Sequence, residues 1–167
     1  NPPGATSRYP IRVDADHRPV GPATSRLGWC YGDLAVATAL HHAGAALADR
    51  DVLAEAHATF AQVARTRGAA DGAIADASLC HGSMGVSHLL RRAARATGDD
   101  ELAAAADRWL AHTLALTASP TGLRVRRGDR DVDVHDLLSG AAGVGLGVLA
   151  ALDPDTAPDW DRCLLLV

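Results

Sequence analysis

The feature that most constrains this chain is a glycine-led segment that occurs three times. Gly32-Asp33-Leu34-Ala35-Val36, Gly82-Ser83-Met84-Gly85-Val86 and Gly140-Ala141-Ala142-Gly143-Val144 align on their first glycines, at spacings of 50 and 58 residues. Each opens a run rich in Ala, Val, Leu and Gly with apolar residues at helical spacing. A degenerate repeat of this kind reports one supersecondary unit used several times, whose core is complete only when units stack. The expected fold is therefore all-α, an array of antiparallel helical hairpins. The glycine-led helix is the inner, buried one, and its partner carries the arginines and acids. Stacked hairpins form a solenoid or a closed α/α ring.

The individual elements follow from their punctuation. Residues 1–26 hold five of the eight prolines and predict an extended lead-in with a short strand at Tyr9 to Val13. Residues 27–167 carry the helical array. The first helix is expected from about Gly32 to His42 or Ala43, with Gly44 near its C-terminal cap. A second starts near Asp49 or Asp51 and ends near Arg67-Gly68, with Val52, Leu53, Ala56, Phe60 and Val63 as its apolar stripe. A third covers Gly82 to Ala96 and stops at Thr97-Gly98. A fourth opens on Asp99-Asp100-Glu101 and runs to about Leu116. Apolar and charged residues alternate on both sides of Gly128-Asp129, from Leu123 to Val134, which predicts a small β-hairpin. The fifth helix spans about Ser139 to Ala151 and ends at Asp153-Pro154. Glycines 140, 143 and 147 cost helix propensity, so close packing against a neighbour is expected there. The tail from Pro158 to Val167 is too apolar to hang free.

Composition removes several classes of chemistry. The 167 residues suffice for one domain with a real core. A net charge of −4 argues against a nucleic-acid surface. All 16 basic residues are arginines, so no lysine is present for Schiff-base or lysine-nucleophile catalysis. Three cysteines cannot all pair, and two of them sit in the glycine motifs. Metal binding in a reducing compartment fits them better than a disulfide framework. No signal peptide is visible and no apolar run is long enough to span a bilayer. The chain begins at Asn1 and its one methionine is Met84, so a processed chain or a part of a longer one is expected.

The candidate chemistry lies where the loops meet the glycine-led helices. Ser78-Leu79-Cys80-His81-Gly82 and Leu27-Gly28-Trp29-Cys30-Tyr31-Gly32 share a form. Adjacent side chains diverge in mid-helix, but at a loop-to-helix junction Cys80 and His81 can converge. Cys30, Cys80 and His81 would give zinc three ligands and leave a fourth position open, as in catalytic sites. Two thiolates and a neutral imidazole cancel the charge of Zn²⁺. A substrate thiol entering the open position loses its proton and stays nucleophilic, which points to thiol addition or transfer. The competing reading makes both cysteines small buried hydrophobes and His81 a helix cap; spacing alone leaves both open. His41 and His42 suit a helix C-terminus, and His57, His88 and His112 suit structural roles. His135 precedes the fifth helix and is the better candidate among these for lining a cavity. Cys163 is expected buried and inert, and Arg91, Arg92 and Arg95 form a solvated face.

Gly-Trp-Cys-Tyr-Gly at 28–32, Cys-His-Gly at 80–82 and Leu-Leu-Ser-Gly-Ala-Ala-Gly at 137–143 resemble, in order and spacing, the lanthionine synthetase C family of lanthipeptide cyclases. The resemblance covers residues 25–167. It implies an α/α toroid of seven helical hairpins, of which about three are present here with a small β-hairpin insertion. It implies Zn²⁺ as cofactor, held by Cys30, Cys80 and His81, with Arg26 and Tyr31 as catalytic residues. The implied reaction adds cysteine thiolates of a dehydrated precursor peptide to dehydroalanine or dehydrobutyrine, forming thioether rings. The implied partners are that peptide, a lanthipeptide dehydratase and an export transporter, with no nucleic acid. The implied location is the bacterial cytoplasm, associated with the membrane through a biosynthetic complex. Ala35 stands where the family usually has glycine, and Ser139 where it usually has glutamate. The family's catalytic histidine and aspartate lie upstream of this sequence. The resemblance therefore implies the C-terminal portion of a cyclase, inactive alone. The alternative expectation is a non-catalytic zinc-binding helical module that binds peptide or glutathione.

Overall fold

The computed structural model describes residues 6–22, 24–119, 123–127, 129–153 and 159–166. In chain order they form β1 (Arg12–Val13), β2 (Pro19–Val20), α1 (Asp33–Leu47), α2 (Arg50–Thr66), α3 (Ser83–Thr97), α4 (Asp100–Thr117), β3 (Arg124–Arg127), β4 (Arg130–Asp133), α5 (Ala141–Leu152) and a 3-10 turn (Asp159–Leu164). The fold is mostly helical, and the repeat governs it. Gly32, Gly82 and Gly140 are the N-caps of α1, α3 and α5. At each, a Cβ would overlap backbone of the preceding loop: Arg26, Ser78 and Val134 respectively. Gly32 also has φ +88°, which other residues rarely adopt.

The helices pair as expected. Only Ala48 and Asp49 separate α1 from α2, and only Gly98 and Asp99 separate α3 from α4, so each pair must turn back on itself. Both connections use the same device. A left-handed residue stops the first helix (Ala48, φ 53°; Gly98, φ 71°), and an aspartate then caps the next. Asp49 accepts from the N–H groups of Asp51 and Val52, and Asp99 from those of Glu101 and Leu102.

Gly44 is not the cap of α1. The helix continues to Leu47, and Gly44 is buried where α2 begins. A Cβ on it would lie 2.9 Å from Leu53 Cγ and 3.0 Å from the Leu53 nitrogen. The glycine serves close approach of two helices, not termination. The strand expected at Tyr9 to Val13 shrinks to β1, paired antiparallel with β2. Upstream of it, the N–H groups of Arg8 and Tyr9 donate to Asp33 rather than to a neighbouring strand.

Of the glycine-led helices, α3 is the most deeply set: ten of its fifteen residues are buried, including Ser83 to Leu90 without a break. It packs against α1, α4 and α5. Gly147 of α5 sits on Met84, as the glycine spacing predicted. α1 and α5 bury only part of their surface. The β3–β4 hairpin is antiparallel, with Arg127 opposite Arg130; Gly128 of its expected turn lies outside the described residues.

A buried ion pair pins the lead-in to the array. Arg67 Nη1 donates to Asp33 Oδ2 at 3.1 Å and to Ser7 Oγ at 3.0 Å, and both charged side chains are fully buried. Arg67 Nη2 donates to the carbonyls of Ser25 and Asp71. The tail docks, as its apolarity required: Leu164 and Leu166 are buried. Two expectations fail there. Cys163 is exposed, not buried, because the 3-10 turn directs Asp161 and Leu164 inward. Arg92 is no solvated charge: it donates to the Leu166 carbonyl and approaches Asp161 at 3.4 Å. Pro154, Pro158 and Val167 lie outside the described residues. Among the described residues no helix is long and apolar enough to cross a membrane.

Candidate metal centre

Three loops, each leading into a glycine-led helix, are stitched edge to edge by main-chain bonds. The Trp29 N–H donates to the Cys80 carbonyl at 2.7 Å, and the Cys80 N–H donates to the Leu138 carbonyl at 2.8 Å. The Leu27 N–H donates to the Gly72 carbonyl at 3.0 Å. Gly28 allows the first two loops to touch: a Cβ there would be 3.0 Å from the Cys80 oxygen and 3.3 Å from Cα and Cβ of His81. Within the second loop, Asp76 accepts from the Ser78 N–H through Oδ1 and from the Ser83 N–H through its carbonyl. That turn sets Cys80 and His81 just ahead of α3.

The structure brings Cys30, Cys80 and Arg26 together. Burial pushes the Cys80 thiol up to about 12, the neighbouring Cys30 adds to the rise, and Arg26 opposes it. The helix dipole and Arg26 both favour a thiolate here, yet desolvation outweighs them. Cys80 is half-buried, Cys30 is exposed, and neither forms a disulfide. Tyr31, beside Cys30, is 38% exposed.

His81 is half-buried, with a buried Nδ1 that has no hydrogen-bond partner among the described residues. A buried polar atom left unsatisfied costs about 1–3 kcal/mol, so this nitrogen is one that a ligand would satisfy. Among the described residues, however, no three His, Cys, Asp or Glu side chains stand close enough to form a metal-holding group. The thiols are assembled; the imidazole is adjacent in sequence but has not converged on them. The donor types, two sulfurs and one imidazole nitrogen, suit zinc.

The other histidines sort clearly. His135 is exposed in the loop before α5. His88 is structural, its Nε2 2.7 Å from Asp161 Oδ2 with both side chains buried. His41 Nδ1 and His57 Nε2 lie 3.3 Å apart. His42 was not legible as a site residue. It lines a groove of about 470 Å³ with Cys30, Ala35 and Ala39, facing Leu164 to Leu166. The available signal was the spacing of Ala35, Ala39 and His42 along one face of α1. Burial and Arg92 lower the pKa of His42, with Asp161 opposing.

Compared with known protein families, the sequence matches the one described as lanthionine synthetase C-like protein over residues 6–165. A comparison with curated proteins found no match.

Proposed function

The chain belongs to the lanthionine synthetase C-like family, and we propose that it carries the zinc-binding part of a peptide cyclase. The reaction adds a cysteine thiol of a dehydrated precursor peptide across the double bond of a dehydroalanine or dehydrobutyrine. A bond forms between sulfur and Cβ, the Cα–Cβ π bond is lost, the thiol proton leaves sulfur and a proton is taken up at Cα. Atoms and electrons balance without oxidant or reductant.

One observation carries this reading. Two cysteines from motifs 50 residues apart meet, and the residue next to one of them, His81, has a buried ring nitrogen without a hydrogen-bond partner among the described residues. Cys30, Cys80 and His81 would hold the metal. Bound zinc would supply the positive charge that lets a peptide thiol ionise near neutral pH. Arg26, whose charge already acts on Cys80, would hold the carbonyl oxygen of the dehydro residue, where negative charge develops as sulfur adds. Tyr31, exposed on the same loop, would contact the peptide backbone. The toroid of helical hairpins around this centre belongs to the same proposal.

The test uses the full natural polypeptide with a dehydrated precursor peptide, scoring zinc by elemental analysis and ring closure by counting free thiols. Thiol loss that disappears in Cys30→Ala and Cys80→Ala together with the zinc supports the cyclase. Arg26→Ala should retain zinc and slow closure. Peptide or glutathione binding without thiol loss would instead establish a non-catalytic zinc-binding module.

A further inference from the structure

The groove beside Cys30 has a volume of about 470 Å³, in the range of small-ligand sites. Cys30 and Trp29 line it together with Ala35, Ala39 and His42 of α1. The C-terminal leucines, Leu164 to Leu166, form a further wall. Wall and thiol loop are joined directly, because the Trp29 ring nitrogen donates to the Leu164 carbonyl at 2.9 Å. The wall is anchored from behind. Asp161 pairs with His88, Trp160 stacks on His88 with ring centres 4.9 Å apart, and Arg92 donates to the Leu166 carbonyl at 2.8 Å.

Within this anchored tail one residue is anomalous. Leu165 lies between two buried leucines yet is 77% exposed. Its φ is +59°. The Leu165 N–H donates to the Arg162 carbonyl at 3.0 Å and the Leu166 N–H to the Asp161 carbonyl at 3.4 Å. That is a left-handed turn at a helix end, where glycine is the favoured residue. A leucine here strains the backbone and leaves an apolar side chain in water. Neither aids folding, and strain of this kind collects at ligand contacts.

We propose that this groove is a subsite for the apolar side chain flanking the reacting cysteine of the peptide, with Leu165 as its specificity wall. The inference rests on the cyclase reading above. Continuity with Cys30 identifies the occupant as the peptide that presents the thiol. The lining identifies the side chain as apolar. Its two polar members offer little to a charged group: the Thr38 hydroxyl is engaged with the Leu34 carbonyl at 2.8 Å, and burial disfavours the cationic form of His42.

The experiment uses the zinc-loaded full polypeptide and three dehydrated peptides that differ only in the residue next to cysteine: leucine, glycine or aspartate. Cyclisation should follow the order leucine, glycine, aspartate, with KM about fivefold lower for leucine than for glycine. Versions of the three peptides with serine in place of cysteine cannot cyclise, and fluorescence anisotropy should rank their binding in the same order. Ala39→Phe fills the groove, and Leu165→Gly removes the wall while relieving the turn. Each should cut the leucine preference to less than about twofold, and Leu165→Gly should do so with Tm held or raised. Leu47→Ala, at the far end of α1 and 75% exposed, should keep the preference. Cyclisation without a flanking preference, or a preference that survives both groove variants, overturns the subsite and leaves the cyclase standing. Binding preference that follows the variants without any cyclisation supports the subsite and removes the cyclase. A preference unchanged in Ala39→Phe alongside a lowered Tm shows that the protein itself fills the groove, and overturns the subsite.

Discussion

The main-chain N–H of Trp29 donates to the carbonyl of Cys80 at 2.7 Å. The two cysteine motifs are thus held to each other through backbone, independently of anything their side chains bind. Preassembly of this kind would reduce the ordering that metal binding at the proposed site must otherwise supply.

Gly28→Ala tests that arrangement. The new methyl would stand 3.0 Å from the Cys80 oxygen and 3.3 Å from His81 Cβ, so the two loops must part by a few tenths of an ångström. Zinc affinity at the proposed site should fall about tenfold, the scale of changes just behind a metal's ligands. Competition against a chromophoric chelator reads it, and the helical circular dichroism should not change.

Arg67→Met should destabilise the fold by about 3–5 kcal/mol, because it leaves the carboxylate of Asp33 buried without its cation. Arg67→Lys should recover little of this. One ammonium cannot reach Ser7, Asp33 and the carbonyls of Ser25 and Asp71 as the guanidinium does. Urea unfolding followed by circular dichroism measures both.

Acid should loosen the lead-in. Arg8 and the Tyr9 hydroxyl both donate to Glu55 and hold its carboxyl below the usual 4.5. A carboxyl lowered in the folded state contributes stability that is fully present above its unfolded pKa. That contribution is lost as pH falls through the folded value. Wild type should therefore exceed Glu55→Gln in urea midpoint at pH 6, and the gap should close as the pH falls below the usual carboxyl value of 4.5. A gap that stays constant across this range would show that the Glu55 charge plays no part.

Two glycines of α5 should respond differently to the same methyl group. In Gly143→Ala the methyl would overlap the Leu137 carbonyl, a backbone atom that cannot move alone. In Gly147→Ala it meets Met84 at 2.6 Å from Cγ, and an unbranched side chain can change rotamer. Overpacking costs about 1–3 kcal/mol, and Gly143→Ala should fall at the upper end with Gly147→Ala at the lower. Thermal unfolding of the two variants gives the order.

What the sequence determined by itself was local in its physics. The glycine-led helix starts, the aspartate caps at 49 and 99 and the stop at Gly98 all follow from residues within a turn of each other. The two cysteine motifs were legible because each sits at a fixed offset from such a start. The tertiary structure alone decided which side chains meet across distance. Gly44 resembles a cap in sequence and proves to be a contact point for Leu53. Arg92 reads as a surface charge until the tail brings Asp161 and Leu166 to it. His42 and Leu165, 123 positions apart, face one groove that neither neighbourhood encodes. Capping and helix spacing are short-range preferences written in adjacent residues. Burial, a displaced pKa and a shared cavity depend on which distant surface arrives, and that is set only when the whole core closes.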